Sequence, residues 1–363
     1  MKRCFVVVLF MVMAGCAPRY TLNHALPEIP ISLPADSAAH YTAQTEWWYY
    51  TGHFYTPDNK RYGFELTFFK RITNDDHTPW WLGRVPAYWI KDVGMLGHFA
   101  ITDMDGNRFV SSEIHNFYHG WDADSAHYHV SVGPYSAQGQ DDGAHLLCAG
   151  TNGYEIELML VPQKAAVMHG PGGIVKKGEG NANHYYSYTR MSVQGTLKKE
   201  KDTSPVKGQA WMDHEYGTMN LIGSQKGWDW FGLQMDDKSE LMIYLIREHD
   251  MIINTSGGTY VYPDGHTLWL RPSDISVRTS RTWQSKKTGT IYPAGWEITI
   301  TPLDLYLEVQ PVMLGQEMSL HPVSYWEGAV DIQGQSGGIK VSGQGYVELV
   351  GYDKDASFDK LKM

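Results

Sequence analysis

Charge is scarce in this chain. Asp, Glu, Lys and Arg make up 19% of its 363 residues while aromatic residues reach 13%, a balance that excludes a disordered chain and favours packed β structure or an aromatic-lined cavity. Positive charge is scarcer still. The formal net charge is −10, and nucleic-acid binding requires the opposite, clustered Lys and Arg that neutralise phosphates. Cysteine is nearly absent. Of the three, Cys4 and Cys16 lie in the first sixteen residues, so Cys148 has no partner for an intramolecular disulfide once that segment is removed. A chain long enough for two domains can rely on its core instead. Cys148, within Leu146-Leu147-Cys148-Ala149, reads as a small buried hydrophobe. A sustained 3.6-residue apolar period is also missing after the N-terminal segment. The Gly-rich run His169-Gly170-Pro171-Gly172-Gly173-Ile174-Val175-Lys176-Lys177 lacks the Gly-Lys-Ser/Thr ending of a phosphate loop.

The one sustained apolar run is short and N-terminal. Lys2 and Arg3 precede Phe5 to Met13, and Ala14 and Gly15 follow before Cys16. That is a signal peptide in outline, too short to span a bilayer permanently. Met13-Ala14-Gly15-Cys16 also resembles a bacterial lipobox, which implies diacylglyceryl modification of Cys16. Two or three acyl chains, at about 0.8 kcal/mol per buried CH₂, hold a protein on a membrane durably. Ala17, rather than Asp, after the cysteine resembles the sorting pattern for the outer membrane. Signal 1–15, tether 16–38 with Pro18, Pro27, Pro30 and Pro34, and a periplasmic globular part are therefore expected.

The remainder alternates with a period near two. Gly63-Phe64-Glu65-Leu66-Thr67-Phe68-Phe69 and Tyr154-Glu155-Ile156-Glu157-Leu158-Met159-Leu160 predict half-buried strands. Turn signals separate them, such as Pro57-Asp58-Asn59, Asp105-Gly106-Asn107 and Thr151-Asn152-Gly153. Glu46-Trp47-Trp48-Tyr49-Tyr50-Thr51-Gly52 leads through a turn into Phe64 to Arg71, and Gly227-Trp228-Asp229-Trp230-Phe231-Gly232-Leu233 leads through another into Leu241 to Arg247. These hairpins lie about half the mature chain apart, so a duplicated barrel is the simplest account. The expectation is an all-β chain of two packed antiparallel barrels, 39–203 and 204–363, with one further strand able to cross between the halves.

Several strings carry a family resemblance. Glu46 to His53, Tyr185-Tyr186-Ser187-Tyr188-Thr189-Arg190, Gln209-Ala210-Trp211-Met212-Asp213-His214-Glu215-Tyr216-Gly217, Tyr325-Trp326-Glu327-Gly328-Ala329 and Gly345 to Tyr352 look like the lipocalin-like AttH family. That family is related to the carotenoid 1,2-hydratases, or hydroxyneurosporene synthases. The resemblance covers residues 40 to 353 and implies two lipocalin-like barrels. It also implies two jobs: exported lipoproteins associated with ABC transporters, or hydratases of a terminal isoprenoid double bond. Fold likeness does not choose between them.

Alternation along the strand puts Trp211, Asp213 and Glu215 on one face and Met212, His214 and Tyr216 on the other. Protonating an alkene requires an acid in an apolar, water-poor pocket, and aromatic faces stabilise the cation that follows. If the chain is an enzyme, Asp213 or Glu215 is the expected donor, with His214 tuning it and Tyr216 orienting the substrate. The same cluster would equally clamp two barrels together. Trp47, Trp48, Tyr50, His169, Tyr186, Trp211, Trp228, Trp230 and Tyr244 are the expected ligand-binding residues. Of the consecutive Trp47 and Trp48, one should line a barrel and the other pack outside it. His127-Tyr128-His129 with His115 and His119 lacks diagnostic zinc spacing, so neither metal nor cofactor is expected. The hydratases resemble Asp-His-Asn-Trp where this chain has Glu215 and Tyr216. That departure and the lipobox favour a membrane-anchored periplasmic lipoprotein binding a lipid or isoprenoid and working with an ABC transporter permease. A hydratase-like enzyme is the alternative.

Overall fold

The computed structural model describes residues 21–23, 25–26, 29–72, 93–116, 120–177, 182–218, 225–248, 251–252, 256–320 and 324–353. The signal segment and Cys16 lie outside these residues. Strands dominate, arranged as two nearly closed antiparallel barrels. Predicted turns close the hairpins: Asn152 at φ +46 and Gly153 at φ +86 reverse the chain between strands His145–Thr151 and Tyr154–Pro162, a left-handed pair that an Asn-Gly dipeptide adopts readily.

The two sheets repeat one neighbour order. In the first, Thr45–Tyr55 lies between Arg61–Ile72 and Asp202–Gly217, which pairs in turn with Ala182–Lys199. In the second, Gln225–Met235 lies between Glu240–Glu248 and Ile339–Val350, which pairs with Tyr325–Ser336. The expected boundary at 203/204 needs correction. Strand Asp202–Gly217 hydrogen-bonds on both sides to the first sheet, so the first barrel runs through Gly217 and the second begins at Gln225.

Of the four apolar clusters among the described residues, the smallest joins Ala100 to Met318, Tyr325 and Val350. Phe64, Leu66, Phe68, Trp48 and Tyr50 fill the first barrel; Phe231, Leu233, Ile243, Trp296 and Trp326 fill the second. Tyr49, Tyr185, Trp211, Trp230, Tyr244 and Tyr346 form the third, with Trp47 and Trp228 against it. This last cluster draws on outward faces of both sheets and is the seam between them. Cys148 departs from expectation: it is half-exposed, because the alternation that buries Leu147 and Ala149 turns the residue between them outward.

Candidate functional site

Strand Asp202–Gly217 has a different environment on each face. Its inward face carries His214 into the first barrel, where Nε2 meets Glu46 Oε1 at 2.9 Å. Glu46 also takes Lys70 Nζ at 3.0 Å and His40 Nδ1 at 2.7 Å. Burial acts to raise the Glu46 pKa, but Lys70 and the two histidines hold it far below the usual carboxylate range. Tyr216 stacks on His40 with ring centroids 3.7 Å apart, and Tyr186 meets His214 Nδ1 at 3.1 Å. Among the described residues His40, Glu46 and His214 converge as metal ligands would. The Lys70 ammonium already supplies positive charge there.

The outward face of the same strand enters the seam. Asp213 Oδ2 accepts from the Tyr185 hydroxyl at 2.7 Å, and Oδ1 accepts from Trp211 Nε1 at 2.6 Å and from the Ser187 hydroxyl. Among the described residues no Lys or Arg pairs with Asp213. Burial pushes its pKa up to about 7 against the pull of these three donors. Because Ser187 directs its proton to Asp213, its oxygen accepts from His169 Nε2 at 2.6 Å. His169 Nδ1 then accepts a hydrogen bond from the Thr259 hydroxyl, 2.9 Å away in the second barrel. Burial holds His169 neutral, with its pKa lowered to about 3. Gly170 allows this placement: at φ +72, an added Cβ would meet the Ile174 carbonyl oxygen at 2.1 Å. The Gly-rich stretch is thus an inter-barrel connection, and His169 spans the seam.

The second barrel answers with acids of its own. Glu348 lies directly across from Trp230 and from Glu327 in the sheet, and its Oε2 accepts from Trp228 Nε1 at 2.7 Å. Glu327 Oε1 accepts from the Tyr49 hydroxyl of the first barrel at 2.7 Å. Glu65, on the first barrel's outward face, accepts from Thr67. Glu65 and Glu327 are fully buried and Glu348 is half-buried. Burial raises Glu348 to about 7 and Glu65 to about 8; burial and then repulsion by Glu348 and Glu65 lift Glu327 well above the carboxylate range. Rings wall the acids: Tyr49 meets Trp230 edge-on at 5.1 Å, Trp211 meets Trp230 at 5.9 Å, and Trp230 Nε1 donates to the Tyr185 oxygen at 3.0 Å.

The expected residues therefore divide. Trp47, His169, Trp211, Asp213, Glu215, Trp228, Trp230 and Tyr244 meet at or against the seam. Trp48, Tyr50, Tyr186, His214 and Tyr216 belong to the first barrel's interior face. His214 and Tyr216 thus cannot tune or flank Asp213 directly, as expected of them, because adjacent strand positions face opposite ways. Glu215 ends on Lys177 Nζ at 2.5 Å and Asn183 Nδ2 at 2.7 Å, leaving Asp213 as the motif's acid without a cation. His115, His127 and His129 each sit on one carboxylate, while His119 lies outside the described residues. The residues missed were Glu65, Glu327, Glu348, Tyr49, Tyr185 and Ser187. Their signal was present, an acid inside each of Phe64-Glu65-Leu66, Trp326-Glu327-Gly328 and Val347-Glu348-Leu349, but alternation reads such an acid as solvent-facing. A separate open cleft, lined among others by Cys148, Thr151, Glu155 and Lys198, runs outside the first barrel and includes none of the seam acids.

Known proteins share this architecture. A crystal structure of a protein assigned as an AttH from Nitrosomonas europaea superposes with a TM-score of 0.81 at 27% identity, covering 92% of this chain and 100% of that one. The crystal structure of kievitone hydratase from Nectria haematococca superposes with a TM-score of 0.72 at 15% identity, over 90% and 94% of the two chains, a likeness of fold. In sequence, kievitone hydratase from Fusarium solani subsp. phaseoli is 26% identical over 164 residues, 45% of this chain and 46% of that protein, so the match spans under half of that relative. The AttH-like family model matches residues 24–352, and the chain belongs to the AttH-like family.

Proposed function

We propose that this chain is a hydratase-type enzyme that adds water across a carbon–carbon double bond of an apolar small molecule at the seam. Asp213 carries the reading. It is a buried carboxyl without a cation, its pKa lies near 7, and aromatic rings surround it; an acid and base matched to neutral pH is what such a reaction requires. The neutral carboxyl gives its proton to one alkene carbon, leaving a carboxylate and a tertiary cation on the other carbon. Trp211, Trp230 and Tyr244 present electron-rich faces to that cation. Water adds to the cation, and its surplus proton returns to Asp213. Tyr185, Trp211 and Ser187 hold the carboxylate in place between the two transfers. The sequence match to a hydratase supports the same reading.

Incubation with acyclic isoprenoids in ¹⁸O-water tests it. A product heavier by labelled water is expected, lost by a factor of about 10² to 10⁴ in Asp213→Asn with the far-UV circular dichroism unchanged. An undiminished product in that variant would overturn the role of Asp213.

The lipobox resemblance favours a second, compatible element: export and anchoring through Cys16 on the periplasmic side of the outer membrane. It also keeps alive a carrier that hands an apolar ligand to an ABC transporter permease. Cys16→Ala should release the chain into the soluble periplasmic fraction; retention on the membrane would remove the anchor. Copurification of an unmodified lipid with the Asp213→Asn chain, without turnover in the wild type, would favour the carrier.

A further inference from the structure

Two seam acids end with an oxygen that none of the described residues satisfies. Glu65 Oε2 and Glu327 Oε2 are buried and have no hydrogen-bond partner among the described residues, although each residue's other oxygen accepts from Thr67 or Tyr49. Both side chains are 0% exposed. One comes from each barrel, so the pair exists only where the barrels dock. Buried polar atoms are rarely left unpaired, and those that are mark a site that a water or ligand completes. Among the described residues, Glu65, Glu327 and Glu348 do not bring three ligand atoms together as His40, Glu46 and His214 do.

We propose that Glu65 and Glu327 form a polar subsite that donates hydrogen bonds to an oxygen on the substrate, so that the enzyme selects oxygenated isoprenoid-like molecules over pure hydrocarbons. The inference rests on the hydration reading and narrows its substrate class. As neutral carboxylic acids both residues carry an O–H that needs an acceptor, and an alkene offers none. A hydroxyl, carbonyl or ether oxygen does. A site built around such donors rejects an analogue lacking the oxygen, because its own groups are then left unpaired. The subsite also separates labour along the seam: Asp213 reacts at the double bond, and the glutamic acids fix the molecule's other end.

Binding of two probes matched in length, farnesol and its hydrocarbon counterpart farnesene, is read by quenching of the seam tryptophans in the full chain. The wild type is expected to bind the alcohol about tenfold or more tightly over the hydrocarbon. Glu65→Leu with Glu327→Leu should erase that preference. Glu65→Gln with Glu327→Gln, which keeps an N–H donor at each site, should retain much of it and guards against misfolding of the leucine pair. Equal affinities in the wild type, or a preference untouched by the leucine pair, would overturn the subsite. The hydration reading would then stand on the Asp213→Asn result. Failure of both probes to bind would overturn the apolar seam itself, and with it both proposals.

Discussion

Glu46 and Glu327 are both fully buried acids in strands of the same architecture, yet they finish in opposite states. Glu46 lies inside the first barrel against Lys70 and two histidines and is held as a carboxylate. Glu327 lies between the barrels, with one tyrosine hydroxyl and no cation among the described residues, and burial and neighbouring acids hold it toward the neutral form. The second barrel repeats the pairing, Asp229 with Arg247 at 2.8 Å, but there burial outweighs the single guanidinium and the Asp229 pKa is raised. Burial penalises the charged form in every case, and how much positive charge the partners supply decides the outcome. Inner acids are tied to cations on the neighbouring strand and hold the barrels together. Glu215 at the seam is tied in the same way to Lys177, but Asp213, Glu65 and Glu327 pair with no cation among the described residues, and burial pushes their pKa values up.

The comparison breaks most visibly if the inner cation is removed. Lys70→Met should cost about 3–5 kcal/mol in urea unfolding, because Glu46 would remain buried without its ammonium; a cost below about 1 kcal/mol would show that the histidines suffice. The pH dependence of stability should separate the two classes. Glu65, raised from 4.5 to about 8, keeps a proton in the fold that the unfolded chain loses, so stability falls as pH rises through that window, by about 1.4 kcal/mol per unit per such group. Glu65→Gln with Glu327→Gln should flatten that descent. The depressed Glu46 contributes on the other side, where stability present above about pH 4.5 is lost as pH falls, and the paired glutamines should leave that limb unchanged. Tyr49→Phe removes the donor to Glu327 Oε1 and should cost about 1–3 kcal/mol in the same assay. Trp228→Phe is the smallest change. It removes one donor to Glu348, should cost about 0.5–1.5 kcal/mol, and should shift the alkaline limb of a turnover profile upward if Glu348 takes part.

Much of this was legible in the residues. Alternation placed Asp213 and His214 on opposite faces, and Trp47 and Trp48 likewise, as the fold shows: Trp48 packs in the first core and Trp47 at the seam. The repeated Trp-rich hairpin anticipated the matching strand orders. The boundary was misjudged because the polar run Lys198 to Lys207 forms the hairpin end between two long strands, and does not link barrels. His214 was grouped with Asp213 by adjacency in sequence, although a single pleat step puts a whole sheet between them.

The sequence by itself determined the strands, their turns and the composition of each face, because a period of two and left-handed Asn-Gly turns are local properties of the chain. Only the tertiary structure decided which outward face meets water and which meets the other barrel. A strand's period distinguishes two sides without saying what covers them. Glu65, Glu327 and Glu348 therefore read as solvated carboxylates until docking removes their water, and that desolvation turns them, with Asp213, into a set of buried acids.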